Sequence, residues 1–300
     1  MWIVLAFFSA ALLGLYDVCK KFALRNNAVL TVLWLNTLFC SLLFVPAIVL
    51  SYTGHITADS MYFVPATSWA EQRYVMLKAV IVLSSWLCGY YGMKWLPLTI
   101  VGPINATRPV MVLIGAMLVF GERLNLYQWI GVLLAIVSFF MLSRSGKKEG
   151  IDFSHNRWIA LIVMAAVLGA VSGLYDKYIM APVTDGGVGI NRMTVQSYYN
   201  LYQLALMTIA VALMRRGEQF RWVWTIPLIS IFLSVADFAY FYALSISGAL
   251  ISVVSMIRRG SVVVSFFVGA MVFKEHNLRA KVIDLALVLL GMIFLYIGSK

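Results

Sequence analysis

The stretches SAALLGLYDVCKKF (residues 9–22) and LGAVSGLYDKYIM (residues 168–180) carry the same tetrapeptide, Gly-Leu-Tyr-Asp, once near the start of each half of the chain. Both copies lie in strongly apolar sequence, where a carboxylate is costly to keep. Other landmarks repeat in the same order. Asn36 in LWLNTLF and Asn200 in SYYNLYQ each fall in the helix that follows GLYD. YYGMKWLPLTIV (90–101) parallels YFYALSISGALI (240–251), and IGAMLVFGERL (114–124) parallels VGAMVFKEHNL (268–278), with Glu122 and Glu275 in equivalent places. Four landmarks in one order point to an internal duplication, with repeats over 1–150 and 151–300.

Composition says where the duplication sits. The chain has 300 residues, 62% hydrophobic and 12% charged, about half the charge of a soluble domain. Hydropathy and turn punctuation predict ten segments: 2–22, 28–50, 74–96, 99–120, 126–143, 158–179, 193–214, 224–245, 249–273 and 281–298. The expected fold is therefore an all-α integral membrane protein of ten transmembrane helices. Five helices per repeat is an odd number, so the second repeat must cross the bilayer in the opposite sense. Inverted repeats of this kind enclose a midplane site in secondary transporters. The first segment lacks the basic start and cleavage site of a signal peptide, which makes it a retained helix.

Several function classes are disfavoured. The net charge of +11 is scattered through short loops and helices with no basic face or nucleic-acid motif. Cys19, Cys40 and Cys88 fall in predicted spans without ligand spacing, and His55, His155 and His276 are isolated, so no metal is expected. The glycine-rich TDGGVGIN (184–191) joins two membrane segments and not a strand to a helix, which reads as a flexible loop and not as a phosphate cradle. No cofactor and no catalytic residue are expected.

The stretch from Tyr90 to Phe140, YYGMKWLPLTIVGPINATRPVMVLIGAMLVFGERLNLYQWIGVLLAIVSFF, resembles the EamA-type repeat of the drug/metabolite transporter superfamily. The shared features are an aromatic-rich helix, a proline thirteen residues before a glutamate (Pro109 to Glu122), the Gly-Glu end and a following helix of small residues. The resemblance extends over both halves. It implies a ten-helix carrier whose central cavity is lined by helices 1, 3, 4, 6, 8 and 9, with both termini usually cytoplasmic. The second half departs from the pattern: Val262 stands in place of the proline and Lys274 in place of the glycine before Glu275.

Charges inside spans mark the candidate site, because midplane ionisable groups face a cavity or a partner. Arg108 and Arg258 each lie nine residues into their segments, about 14 Å deep at 1.5 Å per residue. A guanidinium there suits a carboxylate or phosphate. For both arginines the alternative is a structural pair with a nearby aspartate, such as Asp237. Arg259 points about 100° away from Arg258, so only one of the two is expected to face the cavity, with Arg258 favoured. Asp17, Asp176 and Asp237 are candidate coupling carboxylates, for H+ or Na+. Asp17 can instead pair with Lys20 and Lys21 on its own helix face, while Asp176 has only Lys177 beside it. The glycine of each GLYD is expected to allow close helix contact. Asn36 and Asn200 could bind substrate or cross-link helices. Trp86, Tyr90, Tyr91, Tyr240 and Tyr242 could line the cavity or form an interfacial belt. Glu122 and Glu275 read as helix-end caps.

Two orientation signals disagree. Loop Lys and Arg concentrate in the odd-numbered connections, which places both termini outside by the positive-inside rule, against the family topology. The function expected is a secondary transporter of a small organic solute, anionic or zwitterionic, in the cell membrane, with the lipid bilayer and that solute as its partners. The alternatives are an intramembrane lipid-modifying enzyme, for which no His lies in a span to act as base, and a non-transporting scaffold.

Overall fold

The computed structural model describes residues 2–120, 124–147, 153, 155–214, 219–245, 257–274 and 278–298. The protein is 83% helical, with no strand among the described residues. In chain order the helices are α1 (Trp2–Leu24), α2 (Val29–Tyr52), α3 (Trp69–Trp95), α4 (Leu98–Ala106), α5 (Arg108–Phe120), α6 (Leu126–Lys147), α7 (Arg157–Met180), α8 (Arg192–Met214), α9 (Thr225–Ser245), α10 (Ser261–Phe273) and α11 (Leu278–Gly298). Six described helices are long and apolar enough to cross a membrane: α1, α2, α3, α6, α7 and α11. The chain is a multi-pass membrane protein.

Local sequence explains where the helices depart from the hydropathy segments. α3 starts five residues ahead of the predicted 74 because Ser68 and Glu71 form a capping box there, which starts a helix even on a polar first turn. It stops before Pro97, whose ring forces Leu96 into extended backbone.

The predicted segment 99–120 is two helices. Pro109 has no N–H for the Asn105 carbonyl and its ring crowds that carbonyl, so the chain turns at Thr107, whose hydroxyl donates to the Ile104 carbonyl at 2.7 Å. A break falls at the matching place in the second half, without proline. Residues 257–259 are helical, and Gly260 turns out of the helix with its N–H on the Ile257 carbonyl at 2.9 Å before α10 begins. A Gly-Ser pair is a known cause of helix breaks.

The packing has an internal symmetry. α1 packs on α9 as α3 packs on α7; α1 packs on α10 as α7 packs on α5; α2 packs on α9 as α8 packs on α3. α2 packs on α8 and α6 on α11. Each of these contacts has its counterpart when the first set of helices is exchanged with the second. Single hydroxyls repeat the theme: Ser9 donates to the Ala236 carbonyl at 2.7 Å between α1 and α9, and Ser85 to the Ala165 carbonyl at 2.8 Å between α3 and α7.

The two GLYD glycines differ. A Cβ on Gly14 would come within 2.7 Å of Val264 Cγ1 and 2.9 Å of the Ser261 carbonyl on α10, so close contact there demands glycine. A Cβ on Gly173 would meet only Val112 at 4.0 Å. Close contact in the second copy belongs instead to Gly169, one turn earlier, which lies under the Arg108 guanidinium. The expectation for Gly173 is thus corrected: α5 comes close to α7 through Arg108 against Gly169 and through Gly115 against Leu174, and not at Gly173.

The TDGGVGIN segment is a built turn and not a loose loop. Gly186 and Gly189 take left-handed backbone (φ 77° and 76°), and the N–H groups of Gly187, Gly189 and Ile190 bond back to the carbonyls of Pro182, Ala181 and Ile179. The expected caps at Glu122 and Glu275 lie outside the described residues.

Candidate functional site

A cavity of about 380 Å³ lies between the two sets of helices. Its wall is drawn from α1, α3, α4, α5, α7, α9 and residues 258–262, with α8 added through Val195, Gln196 and Tyr199. Of the residues singled out in the sequence, Asp17, Tyr90, Arg108, Asp176, Asp237, Tyr240, Arg258 and Arg259 all line it. The cavity is therefore assembled from ionisable groups that stand far apart along the chain.

Its electrostatics are organised in pairs. Asp17 accepts from Lys20 at 2.8 Å, one turn along α1. Lys21, expected to share that pair, turns the other way. Its ammonium donates to the carbonyls of Met93, Lys94 and Leu96 at 2.7, 3.2 and 2.7 Å, capping the end of α3. A cation suits a helix C-terminus, where carbonyls have no partners along the helix.

Asp176 pairs with Lys78, which reaches it from α3. Its sequence neighbour Lys177 is not the partner in this pair. Lys78 was missed as a site residue, although a lysine in an apolar span is itself the signal that could have found it. Lys20 and Lys78 also lie over aromatic rings, Lys20 over Tyr16 at 4.2 Å and Lys78 over Tyr199 at 5.2 Å.

The three arginines behave differently from one another. Arg258 is bound to Asp237 and its guanidinium rests on the Tyr240 ring at 4.2 Å, the structural alternative noted for it. Arg259 also faces the cavity, so both neighbours point inward, and the preference for Arg258 as the one facing residue is corrected. Two side chains about 100° apart on a helix can line one cavity when it is wide and the helix breaks just after them. Arg108 gives an N–H to Asn105 Oδ1 at 3.1 Å, and its Nε is buried without a partner.

Asn36 and Asn200 are not in the cavity wall. Asn36 is fully buried; its Oδ1 accepts from Ser230 at 2.9 Å and so ties α2 to α9. Asn200 donates to the Gln196 carbonyl of its own helix at 2.7 Å, and its backbone carbonyl accepts from Ser41 of α2 at 3.0 Å. Both asparagines sit where helices meet, but only the Asn36 side chain takes its partner from another helix. Of the aromatics, Trp86 lines the cavity with Tyr90 and Tyr240, whereas Tyr242 faces a separate surface hollow beside Asp59 and Arg192. Tyr91 packs against the main apolar core.

Comparison with known proteins gives two findings. Residues 1–144 match the sequence model of the EamA-like transporter family, part of the drug/metabolite transporter superfamily. A solved structure described only as the crystal structure of a protein is 14% identical and superposes with a TM-score of 0.63, covering 99% of this chain and 98% of that one. At that identity the likeness concerns the fold alone. No curated protein matches the sequence.

Proposed function

From the membership of residues 1–144 in the EamA-like transporter family, we propose that this membrane protein is a secondary transporter of a small organic anion or zwitterion, working by alternating access. The reading takes residues 1–150 and 151–300 as two inverted five-helix repeats that rock about the cavity between them. The contact symmetry of the helices supports this, as does the matched break at Thr107 and Gly260. Breaks in the middle of spans are where transporters place substrate sites, because unwound backbone is tolerated only where it lines a cavity.

The observation that carries the reading is the cavity itself. Cations and carboxylates from both halves converge on it, inside helices that face lipid elsewhere. A scaffold gains nothing from such a cost. An intramembrane enzyme would need a carboxylate or lysine free to act as base or nucleophile, whereas Asp17, Asp176 and Asp237 are each held in an ion pair. Its volume falls within the range of small-ligand sites. Arg108, Arg258 and Arg259 supply the positive field, and Tyr90 and Tyr240 flat walls. Asn36 acts in this reading as a helix cross-link, and Asn200 meets α2 only through its backbone carbonyl. Asp17, Asp176 and Asp237 each hold a cation already, so coupling to H+ or Na+ works by exchanging that partner during the cycle. The cell membrane is the site of action.

Purified protein in liposomes loaded with a polar metabolite extract tests this, with efflux read by mass spectrometry. The expected result is the selective loss of one or a few charged metabolites, abolished by Arg108→Ala in protein that elutes as a single folded species. Efflux no faster than from protein-free liposomes would end the transporter reading.

A further inference from the structure

Five cationic side chains line the cavity, Lys20, Lys78, Arg108, Arg258 and Arg259, against three carboxylates, Asp17, Asp176 and Asp237. Each carboxylate is taken by one cation, namely Lys20, Lys78 and Arg258 in turn. Five less three leaves two, and the two are Arg108 and Arg259. Among the described residues neither has a carboxylate partner. Arg108 spends one N–H on the neutral oxygen of Asn105 and keeps a buried Nε–H unsatisfied.

Their placement compounds the charge. Arg108 opens α5 just after the break at Thr107, and Arg259 stands just before the break at Gly260. The two come from opposite halves of the chain, and Arg259 lies within electrostatic range of Arg108 and Arg258. Asp17 lies within electrostatic range of Arg108 but is already taken by Lys20, so the described wall keeps an excess of two guanidiniums facing one cavity, which is expensive at membrane depth. The counter-charge that balances this excess is a mobile one that enters the cavity.

Resting on the transporter reading, we infer that the substrate class is the small organic dianion, a molecule with two negative charges on oxygen that satisfies Arg108 and Arg259 together. Guanidinium forks bind carboxylate and phosphate oxygens bidentately. A dicarboxylate would set one group on each arginine, and a phosphate monoester would set one doubly charged head between them. Trp86 and Tyr90 give the organic part an apolar wall. Arg258 is excluded from the role because Asp237 and the Tyr240 ring already hold it. Its part is to keep Asp237 neutralised so that the field of the other two is not cancelled.

Calorimetric titration of the full chain in lipid nanodiscs tests this with two shape-matched pairs of probes, each a dianion against a monoanion: succinate against succinamate for the dicarboxylate, and phenyl phosphate against benzenesulfonate for the phosphate monoester. One dianion at least is expected to bind about tenfold tighter than its monoanion, a difference of about 1.4 kcal/mol. The pair that shows the preference names the head group. Arg259→Gln and Arg108→Gln should each reduce it to threefold or less (about 0.65 kcal/mol), and Arg259→Lys, which keeps the charge, should retain most of it. Equal binding of dianion and monoanion in both pairs, or a full preference in Arg259→Gln, overturns the inference. The two readings fail separately. Dianion preference without flux in liposomes removes transport and leaves the charge assignment, whereas flux of a zwitterion or monoanion without any dianion preference does the reverse.

Discussion

The two GLYD helices spell the same four residues and use them differently. In α1, Gly14 is pressed against α10 and Asp17 finds its cation one turn along its own helix. In α7, Gly173 has room around it and Asp176 is held by Lys78 from another helix. The tetrapeptide fixes where a small residue, a ring and a carboxylate stand on the helix. What each of them touches is set by the neighbouring helix, and those neighbours have diverged. One half closes its ion pair locally; the other uses it to hold two helices together.

Substitutions can break this comparison, and the ion pairs should give the largest effect. Lys78→Ala leaves Asp176 in the cavity wall without its partner and is expected to cost about 3–5 kcal/mol, read as loss of thermal stability in detergent. Lys20→Ala strips a comparably buried partner from Asp17 but breaks no bond between helices, so it is expected to cost less, about 2 kcal/mol. Restoration of stability in Lys78→Ala/Asp176→Ala would show that the unpaired charge, and not lost packing, is responsible. Equal losses at the two lysines would erase the proposed difference between the halves.

The glycines come next. Gly14→Ala forces Val264 and the α10 backbone away and should cost about 1–3 kcal/mol through overpacking, while Gly173→Ala should leave the melting temperature unchanged or slightly raised. A reversal of that order would mean that the α1–α10 spacing is not what fixes Gly14.

The smallest effect concerns the end of α10. Lys274 caps it in left-handed backbone, φ 51°, at the position matched by Gly121 in the first half. Lys274→Gly removes the Cβ penalty and should stabilise the protein by about 1 kcal/mol. Destabilisation would show that the lysine side chain makes a contact worth more than the strain.

Much of the architecture is legible along the chain because a bilayer imposes a simple rule. A span must be apolar for its length and must satisfy its own backbone, so hydropathy finds α1, α2, α6, α7 and α11 within a few residues of their ends. It fails where chemistry interrupts the rule. The polar first turn of α3 was lost because hydropathy does not register a capping box. The two breaks were lost because Pro109 and Gly260 leave mean hydropathy untouched while removing or bending a single backbone bond. Arg108, Arg258 and Arg259 stood out as charges where charge is costly, and so did the three aspartates. The sequence could not assign the pairs. Asp17 and Lys20 were readable at helical spacing; Asp176 with Lys78 was not, since no periodicity joins residues on different helices.

By itself the sequence determined the membrane class, the landmarks that recur in the same order and the identity of the ionisable groups among the apolar segments, because each depends on composition and local period alone. Only the tertiary structure decided which cation each carboxylate takes, that Asn36 and Asn200 lie between helices, and that Arg108 and Arg259 are the two left over. Charge compensation is a matter of distance in three dimensions. Helix packing sets those distances, through side chains such as Val264 against Gly14 that carry no charge at all.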